Sequence, residues 1–442
     1  VAQRIGGFVP RSRAFRTGWR RSLAMSVMNT GKFTALTDPM TWFAGYTTEY
    51  VVKEVLLGIT IGFAQIPESI AFAYLARISP PVALHAAWMV GLICSICGGR
   101  PGMVNGATGA FAAIIKTFLE PPLVQGGNGK GIETLFPSVM LAGFLMLMVG
   151  VSKLSRFILM LPSPVMIGFC NGLAIVIGEA QLHPFKDSET HEWKSGSTLY
   201  WMLAITFTSM MVMEFVPKIP LRVFKVIPSS LLAIIVSILM EFVIVRPSGA
   251  HTDTIGELSE FTADTRFPVP FFIDHPSTNY DFSIINREGL WGDIFVQGLL
   301  LCIVGTIESL MTSEVVESYV RTPSDGDRTV FAMGFGNMLS GFFGGMGGNA
   351  MIGLSTINAL NGGTGRLAPT VTAFLIMISI MGAYPVLNII PVASLAGIML
   401  VVVLHTFKWF SLRLTVAFFL PQFLREKFDF HAKIPRVEVV VI

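Results

Sequence analysis

Glu308 sits inside an apolar run of helix length, LLCIVGTIESLMTSEVVES, and Thr312 follows it by one helical turn. An ionisable group inside a membrane segment is expensive and marks a functional site by default. Some forty residues on, GFGNMLSGFFGGMGGNAMIGLSTINALNGG ends one hydrophobic run with glycines and begins another. A broken helix at membrane depth is tolerated only where it lines a cavity or is buried in protein. A carboxylate, a hydroxyl and freed backbone carbonyls suit a hard cation or a proton. Glu308 and Thr312 are therefore the candidate coupling-ion residues, with sodium a candidate ion and no other cofactor called for.

A second broken run lies earlier, in GGRPGMVNGATGAFAAI. Each break is followed by a span too short to cross a bilayer alone. Two half-helices meeting near the midplane would aim their N-termini at one cavity. A helix N-terminus offers free N–H groups and about half a positive charge, enough to hold a small anion without Lys or Arg. The candidate anion contacts are Gln65 and Glu68 around Pro67, Asn105, Thr108 and Gly109 at the first break, and Asn349, Ala350, Met351 and Gly353 at the second. Ser355 is assigned to a bond back to its own helix, and the glycines also suit close helix packing. His85 and His405 are read as packing or interfacial residues.

These residues ride on a chain of 442 residues, 52% hydrophobic and 13% charged, with mean hydropathy +0.65. A soluble domain carries about 25% charged residues, so the fold class is an all-α polytopic membrane protein. Hydrophobic runs fall at 52–75, 82–98, 104–119, 134–152, 157–181, 197–216, 226–245, 290–315, 329–345, 349–361, 366–384 and 387–405. Residues 246–289 form the one long polar loop. The net charge of +3 gives no footing for nucleic acid. The four cysteines lie in apolar runs, which implies no disulfide framework. No nucleophile–base pair or phosphate loop points to an enzyme.

Residues 1–37 carry Arg4, Arg11, Arg13, Arg16, Arg20, Arg21 and Lys32 with no acid, as a cytoplasmic arm or the tail of an organelle transit peptide would. Lys and Arg also gather in alternate connections, which places the N-terminus on the cytoplasm-like side. The plasma membrane and an organelle inner or envelope membrane both fit. GITIGFAQIPESIAFAYL and LLCIVGTIESLMTSEV share an Ile, a Glu-Ser pair and a small-residue approach, seven spans apart, as an inverted repeat requires.

Five motifs occur in order: IPESIAFAYLARISPPVALHAA (66–87), GGRPGMVNGATGAFAAI (98–114), LPSPVMIGFCNGLAIVI (161–177), GTIESLMTSEVVES (305–318) and GFGNMLSGFFGGMGGNAMIGLSTINALNGGTGRL (334–367). With them the chain resembles the SulP family of sulfate-permease-type anion transporters. The resemblance implies a seven-plus-seven inverted repeat of the uracil-permease type, here stopping before the last two spans. It implies core-domain halves at 51–155 and 290–385, gate-domain halves at 156–245 and 386–442, a basic arm at 1–50 and an extracytoplasmic loop at 246–289. It also implies elevator-like, Na+- or H+-coupled transport of bicarbonate or sulfate, usually by a homodimer. Glu308 and Thr312 match the family's sodium-holding acid and its hydroxyl partner. Ala350, Met351 and Ile352 depart from the small residues and threonine of the bicarbonate branch, and Leu354 replaces the basic residue of many animal members. The competing expectations are a chloride–anion exchanger and a transporter-like structural subunit of a larger membrane complex.

Overall fold

The computed structural model describes residues 47–119, 131–155, 163–186, 192–219, 228–258, 267–273, 282–320 and 322–412. The basic arm up to residue 46, Arg156, Arg222, Lys225, Arg321 and everything past 412 lie outside the described residues. Much of the charge pattern used for orientation, and most of the second gate half, therefore falls there.

The first helix, α1 (Thr48–Leu75), starts where Thr47 accepts a cap bond from Tyr50 N, and it carries Pro67 in its interior. Two prolines at the first helical positions open α2 (Pro80–Cys97). The first break is a two-residue strand β1 (Asn105–Gly106) followed by α3 (Gly109–Leu119). Next come α4 (Ile132–Val151), α5 (Ser163–Ala180), α6 (Ser197–Phe215) and α7 (Ser229–Met240), the last running into a π turn at Glu241–Val245.

Two short helices, α8 (Ile255–Leu258) and α9 (Ser283–Glu288), interrupt the stretch expected as one loop. Its ends are also pinned. Ile255 N donates to Ile390 O, Val392 N to Asp253 O, and Phe271 N to Phe342 O.

The order then repeats: α10 (Trp291–Val320), α11 (Gly326–Phe342), β2 (Asn349–Ala350), α12 (Ile352–Leu360) and α13 (Leu367–Gly382). A short α14 (Tyr384–Asn388) and α15 (Val392–Thr406) complete the described chain. The helix α10 continues five residues past the expected 315 and, at 30 residues, is about 45 Å long. Among the described residues six helices are long and apolar enough to cross a membrane, while α3, α13 and α15 are shorter apolar helices.

The packing repeats as well. α11 lies against α4 as α13 lies against α2, and α13 lies against α1 as α10 lies against α4. At the α4–α11 crossing a Cβ on Gly143 would come within 2.5 Å of Met338 N, and one on Gly334 within 2.6 Å of Gly143 O. Apolar burial between helices gains little in lipid, so contact this close is what holds such a pair. The two strands pair antiparallel at the centre, Asn105 opposite Ala350 and Gly106 opposite Asn349.

Candidate functional site: a crossing of two half-helices

Glu308 is 5% exposed on α10, and Asn349 Nδ2 donates to its Oε2 at 2.6 Å. A short bond to an ionisable oxygen is of the stronger, charge-assisted type. Thr312 is buried one turn on, but its hydroxyl donates to Glu308 O at 2.8 Å. Its proton is thereby committed to the helix, and its lone pairs are what it can offer a cation.

The strands also revise how the half-helices begin. Asn105, Asn349 and Ala350, expected as anion contacts at the helix N-termini, are instead strand residues, Asn105 opposite Ala350 and Asn349 opposite Gly106. Met351 N joins this ladder by donating to Val104 O at 2.9 Å. Free N–H groups are therefore left only one residue group later, at Gly109 to Phe111 on α3 and at Ile352 to Leu354 on α12. The two ends differ. A Cβ on Gly353 would meet nothing within 4 Å, whereas one on Gly109 would lie 2.4 Å from Ile177 Cδ1.

Gly348 explains the glycine run before β2. A Cβ there would sit 2.0 Å from Gly106 O, so only glycine lets the two backbones cross. Side-chain amides and hydroxyls fix the crossing. Gln65 Nε2 donates to Asn105 O at 3.1 Å, and Asn358 Nδ2 to Gly102 O at 2.8 Å. Ser355 corrects its expected role: Val104 N donates to its hydroxyl at 2.9 Å, and that hydroxyl donates to Val104 O at 3.2 Å. It bridges the two breaks rather than bonding back to its own helix.

Several enclosed polar atoms have no partner among the described residues: Gln65 Oε1, Ser69 Oγ, Asn105 Oδ1, Thr108 Oγ1 and Asn349 Oδ1. All lie on α1, at the two strands or in the turn into α3. A buried polar atom left unpaired costs about 1–3 kcal/mol, so this many together call for a polar ligand or water. Glu68 is half-buried on α1 and makes no hydrogen bond among the described residues. The sequence reading missed Asn337, Ser69 and Glu54. Asn337 and Glu54 carried the signal of a polar residue in an apolar helix, which would have found them. His85 accepts from Trp88 Nε1 at 3.1 Å, and the exposed His405 faces Glu214, both away from any ligand set.

Long buried helices, an enclosed acid and two broken spans crossing by their strands define a multi-pass integral membrane protein of the crossed half-helix transporter class. The chain belongs to the sulfate permease family, whose profile matches residues 51–416. It is 33% identical over 374 residues to the putative sulfate transporter YbaR of Bacillus subtilis, spanning 84% of this chain and 69% of that protein. It is 26% identical over 369 residues to the bicarbonate transporter BicA of Picosynechococcus, spanning 81% of this chain and 62% of that one. The transmembrane domain of a cyanobacterial BicA superposes with TM-score 0.69 at 22% identity, over 88% of this chain and 93% of that domain. Murine Solute Carrier 26 family member A9, an anion transporter in its inward-facing state, gives 0.70 at 16% identity over 95% and 74%. The fold is the inverted repeat those structures share, and the family is one of transporters rather than enzymes.

Proposed function

We propose that the chain carries a small inorganic oxyanion of the bicarbonate or sulfate class across the membrane, coupled to Na+ or H+ through Glu308. The observation that carries this reading is the enclosed Glu308–Asn349 pair beside unpartnered polar oxygens and the open N-terminus of α12. Free N–H groups at that terminus, with Gln65, Asn105 and Thr108, would receive the anion's oxygens. Relatives named as sulfate and bicarbonate transporters supply the substrate class.

Glu308, Thr312 and the free Oδ1 of Asn349 are side-chain oxygens available to a cation, and the unpartnered oxygens of Gln65, Ser69, Asn105 and Thr108 add to them. Ala350, Met351 and Ile352 add none, and Asn349 Nδ2 already occupies one face of the carboxylate. Transport would move the core halves (51–155 and 290–385) as an elevator against the gate halves (156–245 and 386–442), within a homodimer.

Uptake of labelled bicarbonate and sulfate into liposomes, with imposed Na+ or pH gradients, tests the reading. Accumulation of one anion that follows one gradient, and loses that dependence in Glu308→Gln, is the expected result. Movement only against internal chloride would replace it with exchange. No movement by folded protein would leave a structural subunit.

A further inference from the structure

Asn337 lies on α11, is fully buried, and is used by nothing described so far. Its side-chain amide binds the backbone of a single residue from both sides. Gly348 N donates to Oδ1 at 2.8 Å, and Nδ2 donates to Gly348 O at 3.0 Å. The same Nδ2 also reaches Met333 O at 3.0 Å on its own helix, which holds the amide in one orientation. One turn along α11, Ser340 Oγ accepts from Gly347 N at 3.2 Å. The side chain thus acts as an extra strand edge for a segment that has no side chains of its own.

The next residue is Asn349, whose amide meets Glu308. Gly348 cannot move toward β1, because Gly106 O is already in contact with it. Movement the other way would break both bonds to Asn337 inside the buried core, where each is costly to lose. We infer that Asn337 is a positioning residue: it fixes the register of β2 and so holds the Asn349 amide against the Glu308 carboxylate, setting the affinity for the coupled cation rather than for the anion. The inference rests on Glu308 being the coupling acid.

A double-mutant cycle between Asn337 and Asn349 tests it, on full-length protein in liposomes. Wild type, Asn337→Ala, Asn337→Asp, Asn349→Ala and both Asn337→Ala and Asn349→Ala together are compared. Each is assayed for the cation or proton concentration giving half-maximal uptake, and for the anion KM. The expected result is a roughly tenfold weaker cation dependence in Asn337→Ala, the scale of one lost buried hydrogen bond, with anion KM changed less than threefold. Asn337→Asp keeps the acceptor for Gly348 N but turns an oxygen toward Gly348 O and Met333 O, and is expected to weaken the cation dependence at least as much. Added to Asn349→Ala, the Asn337→Ala change has no further effect.

Equal weakening of cation and anion dependence, or full additivity in the double variant, would overturn the inference and leave Asn337 a packing residue. Should Asn337→Ala not fold, the comparison of Asn337→Asp with wild type decides by the same two constants. If Asn349→Ala and Glu308→Gln both keep wild-type cation dependence, the coupling reading itself has failed. That outcome differs from one in which only the Asn337 variants are silent.

Discussion

The two halves of the crossing are built from the same parts and finished differently. In the second half the acid, Glu308, is enclosed and tied to the asparagine of its strand. In the first, Glu68 occupies the matching Glu-Ser position but makes no hydrogen bond among the described residues, while Asn105 Nδ2 turns back to Met103 O at 3.1 Å. The half-helix ends differ in the same sense, α12 opening onto space and α3 packed on Ile177. An inverted repeat supplies two equivalent scaffolds, and side-chain pairing then gives each a separate task. On this reading the second half holds the coupled charge and the first half adapts to the anion.

The sharpest break is at the backbone contact itself. Gly348→Ala forces a Cβ to within 2.0 Å of Gly106 O, and backbone cannot swing aside. We expect a loss of about 3 kcal/mol or more, seen as failure to purify folded protein. Gly106→Ala meets the far end of Gln65 at 2.1 Å, which can rotate away, so it is expected to fold with a lower melting temperature. Equal outcomes for the two would remove the asymmetry between the strands.

The acids come next. Glu308→Gln retains an acceptor for Asn349 and is expected to fold while losing cation dependence in the uptake assay. Glu68→Gln has no hydrogen-bond partner to lose, so its melting temperature should match wild type, with its effect confined to anion KM. If Glu68→Gln abolishes cation dependence and Glu308→Gln does not, the tasks of the halves are reversed.

A smaller effect is expected at the bridge between the breaks. Ser355→Ala removes both bonds to Val104 and leaves its N–H unpaired. About 1–3 kcal/mol of stability should go, measured by thermal unfolding in detergent, with cation dependence unchanged.

The helix order and the two breaks are legible in the sequence. Hydropathy gave the helix order because spanning segments must satisfy their backbone internally, and the shortness of the third and tenth runs gave the two breaks. What pattern could not give was pairing. That Asn349 reaches across 41 residues to Glu308, or that Ser355 clasps Val104 at a separation of 251, depends on how two halves interlock. Ser355 was assigned to its own helix because a local bond is the default for serine in an apolar helix. Asn337 stands out in the sequence as a polar residue in an apolar helix, but its partner does not, because Gly348 is bound through its backbone.

Glu54 shows what such interlocking demands of biosynthesis. This carboxylate on α1 is fully buried, and accepts from Thr364 N at 2.8 Å, Gly365 N at 2.9 Å and Ala368 N at 2.9 Å, with Tyr50 OH as a fourth donor. Three of those donors are made 310 to 314 residues after the acid. Tyr50 OH, one turn back on α1, can serve the carboxylate as soon as that helix forms, whereas the other three donors do not exist until the start of α13 has been made. The hydrogen bonds that enclose Glu54 are therefore complete only once the start of α13 has docked on α1, which ties the first helix of one repeat to the last part of the other.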